Sequence, residues 1–180
     1  MVAQLPDIQL VEAIECDAVG SMNAGETGCF KSHMGVWIEI VTIDIDLAIV
    51  LEDDVTILSD DLMYDVKRQL SFDVLMLQSR DYAHCDKHGN FTHGFGAWGY
   101  AITNDGAAKS LESVGKLQRQ IDMQWYTNSF RDSQMFFTGC EKVGNVVCKV
   151  SDTALVKPAP IAVHSVIGDK KNLNYCGGKI

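Results

Sequence analysis

Apolar and polar positions along this chain fall into blocks whose period changes. Residues 8–14, IQLVEAI, place apolar side chains at short intervals and predict a short strand. A polar, glycine-containing stretch follows, SMNAGETGC at 21–29. From Glu26 the recurrence of Phe30, Met34, Trp37, Ile38 and Val41 becomes helical and predicts one apolar face. Asn23, with Glu26 three residues later, reads as a capping box at the start of that helix.

Leu47 to Leu51 is apolar at every position, which predicts a strand buried on both faces in a parallel sheet. Ser59 then reads as the cap of a second helix carrying Leu62, Val66 and Leu70 on one side. FDVLMLQ at 72–78 predicts a second buried strand, and residues 79–95 a long polar loop. AWGYAIT at 97–103 reads as another strand. Asn104 or Asp105 starts a helix through Val114, closed by Gly115. Residues 118–140 are expected to be helical in parts, and NVVCKV at 145–150 to form a late strand. Pro158 and Pro160 stiffen an extended C-terminal stretch. This alternation over 180 residues predicts a single α/β domain, 1–180, with a mostly parallel central sheet.

Three acids break the pattern. Glu52, Asp53 and Asp54 sit just past the carboxyl end of the predicted 47–51 strand. In open α/β sheets that edge is where ligands bind. Adjacent carboxylates suit a hard divalent cation such as Mg²⁺ or Mn²⁺, which takes oxygen ligands and is often shared with a substrate's phosphates. Such an ion neutralises charge building on a phosphate leaving group. Capping of a turn, or plain exposure to solvent, would account for the same acids.

Charge narrows the field. Lys and Arg number 15 against 24 Asp and Glu, a net charge of -9, which argues against nucleic-acid binding. An anionic phosphate ligand would need a metal or local basic groups. No basic segment leads into an apolar run at the start, and no apolar stretch is long enough to span a bilayer. Cys16, Cys29, Cys85, Cys140, Cys148 and Cys176 lack short paired spacings and read as reduced thiols, so a cytoplasmic location is expected. HCDKHGNFTH at 84–93 matches no standard zinc spacing and reads better as an acceptor-binding loop. A receiver-type phospho-acceptor domain is disfavoured, because the 72–78 strand leads into Gln78 and Ser79 where an Asp would be needed.

Two segments carry a resemblance. GETGCFKSHMGVW (25–37), followed closely by LAIVLEDDV (47–55), resembles the paired signature of glycosyltransferase family 25, the lipopolysaccharide-type galactosyltransferases and their collagen-modifying relatives. Gly25, Glu26, Gly28, Cys29, Ser32, His33, Trp37, Glu52, Asp53 and Asp54 match that pattern. GFGAWGYAITNDGAAKSL (94–111), IDMQW (121–125) and VKPAPIAVHSVIG (156–168) are similar to later family segments, more loosely. The chain opens near the end of the family's first βα unit, so the domain is expected to be N-terminally short.

The resemblance implies a GT-A-like α/β fold. It also implies inverting transfer of a hexose, galactose or glucose, from a uridine-diphosphate donor to a glycan or protein hydroxyl. Asp54 and Asp53 would then face the metal, Mn²⁺ or Mg²⁺, and the donor diphosphate, with Asp54 the direct ligand and His164 completing the metal site. Glu26, Ser32 and His33 would shape the donor pocket. Each has a structural alternative: a capping box for Glu26, a buried hydrogen-bonded core position for His33. Glu52 is expected to point back toward the helix as a structural acceptor, and Cys29 to be a small buried packing residue. Asp122 is the candidate general base, since inverting transfer needs a carboxylate to take the acceptor's proton. A helix cap is its alternative, and Asp81 is a second choice of base. Trp98 and Tyr100 read as sugar-stacking or core residues. The second functional reading is a degenerate, non-catalytic glycosyltransferase-like binding domain.

Overall fold

The computed structural model describes residues 8–20, 22–69, 71–80, 82–94, 97–113 and 146–159. Asp81, Asp122, His164, Leu70 and the 118–140 region lie outside the described residues. Helix α1 runs Ala24–Thr42. Its start is the expected capping box: Asn23 accepts from the Glu26 amide, and Glu26 accepts from the Asn23 amide, each at 2.9 Å. The buried face is Thr27, Phe30, His33, Trp37 and Ile40, while Ile38 and Val41 are exposed. The helix is therefore rotated from the face that its apolar periodicity suggests. Its second half is apolar nearly all round, so spacing alone cannot choose a side; polar partners for Thr27 and His33 do.

Residues 8–18 form no strand; they run irregularly along α1, with Ile8, Leu10, Val11 and Ile14 exposed. The amide of Ile14 donates to Ser32 Oγ at 2.8 Å, that of Val19 to Thr27 Oγ1 at 3.2 Å, and Gln9 Nε2 to Glu39 Oε1 at 3.0 Å. Helical hydroxyls thus meet the donor that a sheet neighbour would have met.

The main sheet has four strands in the order β1 (Leu47–Leu51), β6 (Gly99–Thr103), β3 (Val74–Met76), β7 (Cys148–Val150). Strand β6 is antiparallel to both β1 and β3, and only β3 with β7 is parallel. The expectation of a mostly parallel sheet is thus corrected: the sheet is mixed, because β6 inserts in reverse between two strands that share a direction. Among the described residues β1 is also an edge strand, half-buried along its length and not fully covered.

Strands β2 (Val55–Ile57) and β8 (Val156–Pro158) pair antiparallel beside the acids. The 79–95 segment contains a hairpin, β4 (Ala83–Cys85) and β5 (Phe91–Gly94), where a polar loop is expected. Asp86 shapes its turn by accepting from the amides of His88 and Asn90 and from Asn90 Nδ2, with Gly89 at φ 78°. Helix α2 (Leu62–Lys67) is capped by Asp61, which accepts from the Tyr64 amide at 3.0 Å. Ser59 instead donates to Asp65 Oδ2 at 2.7 Å. Helix α3 (Asn104–Ser113) starts at Asn104, whose Nδ2 donates to the Ile40 carbonyl at the end of α1.

Alternation along the strands sorts the core into two layers. Val74, Met76, Tyr100 and Ile102 face α1 and α3, packing with Phe30, Trp37, Ile40 and Ala107. Leu75, Leu77 and Ala101 face the other way, packing with Leu62, Val66 and Val156.

Candidate active site at the carboxyl edge of the sheet

Because β1, β3 and β7 share a direction, their carboxyl ends lie at one edge. Past β1 come Glu52, Asp53 and Asp54, past β3 come Gln78 and Ser79, and past β7 come Ser151 and Asp152. The reversed strand β6 begins at this same edge, where the Trp98 carbonyl accepts from the Glu52 amide at 2.9 Å. Gly99 admits that approach: a Cβ there would lie 3.0 Å from side-chain carbons of both Leu51 and Val156.

The three acids point to different surroundings. Asp53 is exposed. Asp54 is half-buried, and its Oδ1 is buried with no hydrogen-bond partner among the described residues. Its backbone carbonyl accepts from the Ala159 amide at 2.6 Å, which ties the acidic turn to the end of β8. Burial, then repulsion from Glu52 and from Asp53, pushes the Asp54 carboxyl above its ordinary value. Ser151 Oγ, also buried, has no partner among the described residues at this edge. A buried carboxylate oxygen without a donor is costly, and either a proton or a cation would relieve it. The donor set, carboxylate oxygens in a crowded turn, fits Mg²⁺ or Mn²⁺.

Glu52 turns back toward α1, where its Oε1 lies 3.7 Å from His33 Nε2. The other ring nitrogen of His33, Nδ1, is 2.8 Å from the Tyr100 hydroxyl, which accepts from Trp37 Nε1 at 3.0 Å. Burial pushes the Tyr100 phenol well above its ordinary range, so it stays a neutral hydroxyl. Cys29, one turn before His33, joins this group: the Cys29 thiol, a His33 nitrogen and a Glu52 oxygen all lie within 4.8 Å of one another.

The residues singled out from sequence thus separate. Asp54, Asp53 and Glu52 share the sheet edge, and His33 reaches it through Glu52. Glu26 is held in the capping box. Ser32 Oγ donates to the Gly28 carbonyl at 2.9 Å while accepting from Ile14. Cys29 is only partly buried, not fully as expected, and lies beside His33 and Glu52. Sequence reasoning missed Ser151, which carries no motif, and the Trp37–Tyr100–His33 chain, which depends on a contact 67 residues apart.

The described residues thus form a mixed α/β domain with acids at one edge of its sheet. The family model for glycosyltransferase family 25 (LPS biosynthesis protein) matches residues 12–91, a match that supports a glycosyltransferase. The matched segment runs from the irregular N-terminal stretch through α1, β1, the acidic turn and β3 to the first residue of β5. The looser resemblances at 94–111, 121–125 and 156–168 lie beyond it. No curated protein matches the chain. Among the described residues no helix is long and apolar enough to cross a membrane.

Proposed function

We propose that the chain is a metal-dependent, inverting hexosyltransferase of GT-A type that uses a uridine-diphosphate sugar, galactose or glucose, and a glycan or protein hydroxyl as acceptor. The observation that carries this reading is the buried Oδ1 of Asp54, which has no hydrogen-bond partner among the described residues, within an acidic turn at the carboxyl edge of the sheet. The family match over the same turn supports it.

Asp54 would hold the divalent ion, with exposed Asp53 beside it toward the diphosphate. The ion, when bound, supplies electrostatic stabilisation of the uridine-diphosphate leaving group. The chain's own contribution is positional. The amide of Glu52 is fixed on Trp98 and the carbonyl of Asp54 on Ala159, so the turn presents its carboxylates from a braced backbone. Asp122 is the proposed base for the acceptor proton, and His164 a proposed second metal ligand; both lie outside the described residues.

The test is incubation of the full chain with Mn²⁺ and uridine-diphosphate galactose or glucose, with transfer to sugar acceptors and donor hydrolysis both followed. Turnover that needs the metal and is lost in Asp54→Asn supports the assignment. Absence of transfer, of hydrolysis and of metal-dependent donor binding refutes it.

A further inference from the structure

We propose that Cys29, His33 and Glu52 form a zinc site that fastens α1 to the acidic turn. Cys29 and His33 are four residues apart on one helix, so both side chains rise on the same face. Two ligands at this spacing are the usual way a helix offers a zinc site. Glu52 comes from the sheet side, so a bound ion would bridge two layers of the fold.

One pair of ligand atoms already stands near the spacing of a tetrahedral site. Around zinc, with metal–ligand bonds of roughly 2.0–2.3 Å, neighbouring donor atoms stand about 3.3–3.6 Å apart. His33 Nε2 and Glu52 Oε1 are 3.7 Å apart, and all three donor atoms lie within 4.8 Å of one another. Closing the remainder takes side-chain rotation of Cys29 and Glu52, which are both only partly buried.

The imidazole is held on its far side, and ligation through Nε2 needs the tautomer in which Nδ1–H donates to the Tyr100 hydroxyl. Ligating histidines almost always have their second ring nitrogen held by a polar partner. Here Nδ1 is held by the Tyr100 hydroxyl, itself held by the Trp37 indole, and both aromatic residues are fully buried. That leaves Nε2 directed at Glu52. The ligand mix of thiolate, imidazole and carboxylate favours zinc over Mg²⁺, which prefers oxygen alone. Binding takes Cys29 as the thiolate and releases its proton to solvent. Three protein ligands leave a fourth position for water.

This site shares no ligand with the Asp54 position, and its test is independent of sugar transfer. The full chain, stripped with chelator, is titrated with Co²⁺ and then Zn²⁺. One equivalent of Co²⁺ is expected to give tetrahedral visible bands and a near-ultraviolet thiolate-to-cobalt band, all displaced by Zn²⁺. Cys29→Ser removes the thiolate band, and Glu52→Gln weakens affinity about 10-fold or more. Asp54→Asn leaves the thiolate-to-cobalt band in place, as expected of a carboxylate outside the ligand set. Circular dichroism of Cys29→Ser controls for folding. No thiolate band in the wild type, or the same band in Cys29→Ser, overturns the proposal.

Discussion

His33 on α1 and Tyr100 on β6 meet at 2.8 Å across the buried helix–sheet interface. The same hydroxyl accepts from Trp37, so one oxygen organises two side chains of the helix. Tyr100→Phe removes the acceptor of a buried indole N–H together with the partner of His33 Nδ1. It should cost about 1–3 kcal/mol of stability, read from the urea midpoint.

Asp54 gives a prediction with opposite signs for stability and activity. Its carboxyl is raised by burial and by Glu52 and Asp53, so the folded state holds its proton more tightly than the unfolded chain. Folding therefore takes up protons between the unfolded value of 3.8 and the raised folded one. Stability from this group falls as pH rises through that window, and the penalty persists at neutral pH. In chelator, Asp54→Asn should melt higher than the wild type at pH 7, with the gap closing toward pH 3. Metal-dependent turnover by the same variant should drop by roughly 100-fold or more, since even outer-shell partners of a metal typically cost about 10–100-fold.

Three glycines test the packing of α1 and α3. The Ile14 carbonyl sits where a Gly28 Cβ would be, and the Asp73 carbonyl where a Gly106 Cβ would be. Gly28→Ala and Gly106→Ala should each destabilise by about 1–3 kcal/mol, because backbone must shift. A Cβ on Gly35 would meet nothing within 4 Å. Gly35→Ala should stabilise by about 0.5–1 kcal/mol through helix propensity. Thermal melts of the three variants decide the order.

Asp73 and Lys109 are 2.8 Å apart, yet their substitutions should not be equivalent. Asp73 is nearly buried and its other oxygen accepts from the Val147 amide at 2.7 Å, whereas Lys109 is partly exposed. Asp73→Ala should cost about 1–3 kcal/mol by stranding that amide. Lys109→Met should cost under about 1 kcal/mol. Equal losses in urea titrations would contradict this reading.

Much of the element order was legible in the sequence, and the reasons for the misses are specific. The Asn23–Glu26 box and the strands around 47–51, 74–76 and 99–103 follow from local pattern. The direction of β6 does not, because an apolar run reads alike in both senses. The 8–14 stretch has strand composition but finds helix hydroxyls in place of a strand partner. The acids lie just past the carboxyl end of β1, as the pattern before them suggested, and Glu52 does turn toward the helix. The hidden part is the division of labour within the turn: among the described residues it is Asp54 that has an oxygen without a donor, while Glu52 faces His33.

The reversal of β6 has one more consequence. In a sheet whose strands all run one way, the ligand edge receives only chain that is leaving a strand. Here β6 also arrives there, so Trp98 enters where the ends of β1, β3 and β7 depart. A length change just ahead of Gly99 would remodel the rim of the site while leaving every rung of the main ladder in register. The fold thus gives this edge a tuning point that is separate from the acids it surrounds.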